Sequence, residues 1–158
     1  MKTVFKTVAA MMGSMLAAHA VQSATIAPSF EEYREPMVRS KPGAKAKIAS
    51  DQDREFKTRI AEAWKQEVNF AGYHVLSTFG CGASCLMSFA LDKNSGKVSW
   101  LPFTICCWNS VETTAEPLAF KKDSRLVVVT GSRNERGKGV YYYEFKQRQF
   151  VLIRAIER

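Results

Sequence analysis

The sequence predicts an α+β domain: an N-terminal helix packed on an antiparallel five- or six-stranded β-meander, stapled by disulfides. Three observations carry this. Phe56, Ile60, Trp64 and Val68 recur every four residues, which on a helix makes one apolar stripe. From Tyr73 onward the period changes to two, in short runs rich in Val, Ile, Leu, Tyr and Phe separated by turn residues. All four cysteines fall in two short stretches, Gly80–Cys85 and Ile105–Trp108.

The first twenty residues read as a secretory signal. Lys2 and Lys6 precede an apolar run from Val8 to Ala18, and Ala18-His19-Ala20 offers small residues where a signal peptidase reads them. The run is too short for a comfortable membrane span, which takes about 20 residues, and no later segment is long and apolar enough to cross. Removing residues 1–20 leaves 138 of 158 and lowers the net charge from +8 to +6 as Lys2 and Lys6 depart. That length suits one domain with one core. The expected organisation is a signal peptide over 1–20, an irregular lead-in arm over 21–49 and a single α+β domain over 50–158. The expected location is the periplasm or the exterior, where cysteines usually end as disulfides.

The lead-in carries Pro28, Pro36 and Pro42-Gly43, which interrupt regular structure. Its apolar residues Phe30, Tyr33, Met37 and Val38 suit an extended arm laid on the core. Ser50 then suits a helix N-cap, with Asp53 three residues on as a weak capping-box partner. The helix is expected to run to about Glu67–Asn69, its stripe facing a sheet. Strands are expected over Tyr73–Phe79, Cys85–Asp92, Lys97–Phe103, Arg125–Thr130, Val140–Phe145 and Phe150–Ile156. Asn94-Ser95-Gly96, Lys122-Asp123-Ser124, the Gly131–Gly139 loop and Gln147-Arg148-Gln149 separate them.

Two resemblances follow from particular residues. Phe120 to Gly131, FKKDSRLVVVTG, is similar to the strand-turn-strand of a single β-propeller blade. A propeller needs at least four such blades, so only the hairpin geometry carries over. More widely, Asn69-Phe70-Ala71-Gly72-Tyr73, Gly80-Cys81-Gly82 with Cys85, Leu101-Pro102-Phe103, Asp123-Ser124-Arg125-Leu126 and Thr130-Gly131-Ser132 resemble the pattern of a family of small exported bacterial proteins. That resemblance implies export and fold, and brings no activity with it.

Hairpin arithmetic brings the cysteines together. With Asp92 opposite Lys97, Cys85 faces Thr104 and Ser84 faces Ile105; a three-residue turn with Gly96 left-handed shifts this by one. The leading reading is two disulfides linking Cys81 and Cys85 to Cys106 and Cys107, each loop worth about 3 kcal/mol. Four cysteines allow three connectivities, and the pairing stays open. A Cys81–Cys85 bond with a vicinal Cys106–Cys107 bond is disfavoured as strained. Adjacent cysteines in a strand point to opposite faces, which favours two different partners. Three readings compete. A four-thiolate metal site fits Cys81-x3-Cys85, but Cys106-Cys107 has no spacer. Redox exchange usually sits in a C-x-x-C at a helix start, and here the spacing is C-x3-C in strand and turn. A cysteine nucleophile needs a histidine in reach, and beyond the signal there is only His74, on the strand face opposite Tyr73 and Val75, where it is either exposed or capping a polar contact.

No residue is assigned as catalytic or metal-binding, and no cofactor is expected. Gly131–Gly139 lacks the P-loop order and precedes a tyrosine-rich strand, so it reads as a mobile charged loop. Arg133, Arg136 and Lys138 in it, with Tyr142 and Trp108, are the candidate contact residues. The basic residues are spread along the chain, which argues against nucleic acid. The expected function is a non-enzymatic exported binding protein, an inhibitor, immunity or accessory factor for an envelope or secreted protein. The alternative is an envelope thiol/redox or hydrolytic enzyme using Cys81 and Cys85.

Overall fold

The computed structural model describes residues 27–38, 45–111, 114 and 116–157. The expected signal over 1–20 lies outside the described residues. The architecture is mostly antiparallel sheet. Eight strands run in one open sheet: β1 His74–Gly82, β2 Cys85–Asp92, β3 Val98–Trp100, β4 Ile105–Cys106, β5 Leu118–Phe120, β6 Leu126–Arg133, β7 Arg136–Lys146 and β8 Gln149–Glu157. The order is β1-β2-β4-β6-β7-β8, with β3 on β2 and β5 on β6. A plain five- or six-stranded meander is therefore corrected on two counts. Two short strands are added, and two-residue β4 joins two halves that are otherwise separate ladders.

The single helix also gives way. Ser50 and Asp53 form a full capping box, each side chain accepting from the other's backbone N–H, but the first helix ends at Glu55. Phe56 leaves helical geometry at φ −102°, ψ 23°, and a second helix runs over Lys57–Lys65. We call these α1 (Asp51–Glu55) and α2. The Phe56 ring lies 5.2 Å from Phe79 and 5.4 Å from Trp100, so tertiary aromatic packing takes the residue that periodicity placed mid-helix. Gln66 is extended, and Val68 falls outside the helix.

Strand alternation divides two cores. Val75, Phe89 and Leu91 pack with Ile60 and Ala63 of α2 on one face of the first half-sheet. Leu76 and Ala90 face the other way, joining Ile105, Val127, Val129 and Tyr141 in a cluster that spans both halves. Phe70 lies 5.4 Å from Phe145, and His74 4.9 Å, so the sheet curls until the start of β1 meets the end of β7.

The lead-in arm docks by backbone bonds: the Arg125 N–H donates to Tyr33 O and the Glu35 N–H to Asp123 O, both at 2.8 Å. Ser124, fully buried, donates its hydroxyl to Phe30 O at 2.9 Å. Met37 and Val38, expected on the core, stay half exposed. The strand-turn-strand over Phe120–Gly131 forms as β5 and β6.

Candidate functional site

The cysteines lie at one end of the sheet. The expected register holds through β3, where Phe89 faces Trp100 and Leu91 faces Val98. Residues 101–104 then fall outside any strand: Leu101 keeps one bond, its N–H donating to Ser88 O at 2.9 Å, and Pro102 after it cannot donate to a ladder. When pairing resumes at β4 the register has moved by two. Cys85 consequently faces Cys106, and Leu86 faces Ile105.

The expected cross-linking of the two stretches is corrected. Cys81 is bonded to Cys85, with 5.1 Å between their Cα atoms, while Cys106 and Cys107 are free thiols. Two local features cause this. The β1–β2 turn is tight, with Gly82 at φ +142° and Ser84 at +52°, and the β1 ladder is irregular between Gly80 and Gly82, which leaves Cys81 out of the pairing and beside Cys85. Cys106 and Cys107 do not alternate across a strand either. The strand ends at Cys106, and Cys107 turns left-handed at φ 59° to open a short 3-10 turn over Trp108–Ser110. Cys106 is buried and Cys107 exposed. The Cys107 thiol, which hydrogen-bonds Cys106, and then burial push the Cys106 thiol above its ordinary pKa. With two sulfurs in a disulfide, the four-thiolate arrangement is not assembled.

The β6–β7 tip closes the same end. Ile105 pairs with Arg133 and Cys106 with Ser132. Asn134 and Glu135 both take positive φ, 49° and 62°, as a two-residue type I′ turn requires. Asn134 is held from both sides: its N–H donates to Thr104 O, and its Oδ1 accepts from the Thr104 N–H, each at 2.9 Å. The Gly131–Gly139 segment is thus not a mobile loop but the ends of two paired strands and their turn. Gly131 is required there: at φ +128° it brings β6 so close that a Cβ would lie 2.3 Å from Cys106 O and 3.2 Å from Trp108 N.

The five contact candidates separate. Arg136 and Lys138 are exposed at this end. Arg133 is committed inside the domain, its guanidinium 3.8 Å above the Tyr141 ring and donating to the Tyr143 hydroxyl at 2.9 Å. Trp108 is half-buried against the core. Tyr142 lies in mid-strand opposite Val128 and Arg154, away from the other four. A groove of about 420 Å³ between Phe103, Arg133, Arg136 and Glu157 runs along this end. A second, of about 240 Å³, lies beyond Phe103 against Met87 and Trp100. Neither was legible beforehand, because the excursion at residues 101–104 that walls both looked like strand.

His74 is at the opposite end. It is buried rather than exposed, with Nδ1 3.2 Å from Ala71 O and its ring between Tyr73 and Phe145. Burial holds its pKa below the ordinary histidine value. Arg125 lies beside it, 3.1 Å from Glu35 and 3.0 Å from Glu144, and a cavity of about 220 Å³ opens between His74, Arg125, Glu35 and Arg148. Seven residues of extended strand separate His74 from Cys81, about 23 Å at ~3.3 Å per residue, so they make no nucleophile–base pair.

No protein-family model, curated protein or solved structure is significantly similar to this chain.

Proposed function

We propose that the chain is an exported, non-enzymatic binding protein of the bacterial envelope, an inhibitor, immunity or accessory factor that grips a protein partner with the cysteine end of its sheet. The observation that carries this is the convergence of four segments there. The Cys81–Cys85 turn, β4, the Trp108 turn and the β6–β7 tip are held to one another by ladder pairs and by the Asn134–Thr104 bonds. A surface so fixed binds with little loss of loop entropy. Arg136 and Lys138 stand exposed beside the Phe103–Arg133 groove, which is itself lined mostly by polar groups, so the partner surface is acidic and polar where it meets this end. The leader-like N-terminus, the even cysteine count and the resemblance to small exported bacterial proteins support the location.

The test compares Arg136→Glu with Lys138→Glu against a charge reversal at the far end, Lys122→Glu. Chemical cross-linking in the producing cell followed by mass spectrometry reads the partner. Loss of the adduct in the double variant alone supports the surface. Equal adducts in all three, or none in the wild type, overturn it.

A second reading, an envelope thiol enzyme, is favoured by the two free thiols next to a disulfide. In a hydrolytic version His74 does not serve as the base for the cysteines, because it lies at the other end.

A further inference from the structure

Three cysteines sit on three neighbouring strands. β2 is flanked by β1 and β4. Cys85, the first residue of β2, is bonded to Cys81 of β1 and directly faces Cys106 of β4. Directly opposed residues of an antiparallel pair share a face, with Cβ atoms about 4.5–5.5 Å apart and Cα atoms about 4.5–5.5 Å apart. Those Cα separations lie within what a disulfide spans, about 4.4–6.8 Å. A disulfide is exchanged when a thiolate attacks one sulfur and the other departs. Strand order here supplies nucleophile, central sulfur and leaving group in sequence: β4, β2, β1.

We propose that Cys106, Cys85 and Cys81 form a thiol–disulfide exchange site in which Cys85 is the shared sulfur. The Cys106 thiolate attacks Cys85 Sγ. A Cys85–Cys106 bond forms, the Cys81–Cys85 bond breaks, and Cys81 leaves as a thiolate that takes up the proton Cys106 gave to solvent. No oxidant or reductant is consumed, since one disulfide and two thiols stand on each side. The exchange moves the staple. In the state seen here it closes a five-residue turn. In the exchanged state it ties β2 to β4, clamping the strand that joins the two half-sheets, and frees Cys81 at an exposed position on the sheet edge. Cys107 is not the attacking group: it has left the strand for the 3-10 turn and faces solvent. The neighbouring Cys107 thiol, burial and the Glu135 carboxylate raise the Cys106 thiol above its ordinary pKa, so exchange accelerates with pH. The site is independent of the partner-binding reading, and either can fail without the other.

The experiment maps disulfides in the oxidised full chain after incubation without added thiol or oxidant at pH 7, 8 and 9. An acid quench stops exchange, free thiols are alkylated in denaturant, and non-reducing digestion with tandem mass spectrometry locates label and bond. The expected result is label at Cys81 together with a Cys85–Cys106 peptide, forming about tenfold faster per pH unit while Cys106 remains mostly protonated. Cys107→Ser should keep the exchange and Cys106→Ser should abolish it. Cys81 unlabelled after a day at pH 9 overturns the proposal. So does equal labelling of Cys81 in Cys106→Ser. If Cys106→Ser fails to fold by circular dichroism, the wild type and Cys107→Ser decide the matter, because loss of exchange in Cys107→Ser identifies the wrong nucleophile.

Discussion

Gly131→Ala and Gly82→Ala together test whether β6 is what holds the cysteine end in place. Both glycines occupy the backbone region nearly closed to L-residues, at φ +128° and +142°. Alanine at either therefore costs about 1–3 kcal/mol of local strain. They differ in what surrounds them. Around Gly82 nothing lies within 4 Å of a new Cβ, whereas at Gly131 the Cβ meets Cys106 O at 2.3 Å and the Trp108 backbone at 3.2 and 3.3 Å. Both obstacles at Gly131 are backbone, so β4 must retreat by about 1 Å to reach ordinary van der Waals contact. The Cys106–Ser132 pairing then breaks, at about 1 kcal/mol for each of its hydrogen bonds. Gly131→Ala should accordingly cost about 3–5 kcal/mol, at least about 2 more than Gly82→Ala. Urea unfolding followed by tryptophan fluorescence reads this as a midpoint about 1 M lower for Gly131→Ala than for Gly82→Ala, taking m near 2 kcal/mol/M. Alkylation of Cys106 in the native state should accelerate in Gly131→Ala and not in Gly82→Ala. Equal midpoints, with Cys106 equally protected, would show that β4 does not depend on the close approach of β6.

Three further outcomes are expected. Asp53 accepts from the Ala49 and Ser50 N–H groups and from the Trp100 indole, at 2.9, 3.0 and 2.8 Å, so Asp53→Ala should cost about 3 kcal/mol, a lost cap plus an orphaned indole N–H. Burial pushes the Asp53 carboxyl up, but these donors with the Ser50 hydroxyl outweigh it and hold the pKa below its ordinary value. Its contribution is therefore complete above the unfolded pKa of about 3.9 and lost as pH falls through the folded value; acid titration of Asp53→Asn by circular dichroism should be correspondingly flatter. His74, held neutral by burial, contributes fully above its unfolded pKa of about 6.5 and loses that contribution as pH falls from there toward the folded value. His74→Phe should remove this slope between pH 7 and 5, and an unchanged slope would place the titration elsewhere. Replacing Cys81 and Cys85 with serine opens a five-residue loop, worth about 2 kcal/mol rather than the 3 of a longer cross-link, and calorimetry at matched pH measures the difference.

The opening of the helix and most strands were legible because their signals are local. Ser50 and Asp53 cap whatever follows them, and β2 runs over Cys85–Asp92 as its alternation implies. The broken helix was not legible, because Phe56 obeys the stripe and is removed from it by the Phe79 and Trp100 rings across the fold. Strands β4 and β5 have two and three residues, too short to show a period. The register of the β2–β3 hairpin followed from its turn, but the shift that seats Cys106 opposite Cys85 arises in the 101–104 excursion, whose course depends on Asn134 thirty residues away.

By itself the sequence determined that the chain is sheet-rich, that Ser50 and Asp53 form a helix cap ahead of the sheet, and that the cysteines meet at one end of a hairpin. These follow from period, capping chemistry and turn residues, each acting over a few positions. Tertiary structure alone decided that Cys81 bonds Cys85, that Arg133 turns inward onto Tyr141 while Arg136 and Lys138 remain outside, and that His74 is buried far from any sulfur. Those outcomes depend on strand order and on contacts between residues distant along the chain, where sub-ångström packing selects among partners that local pattern leaves equal.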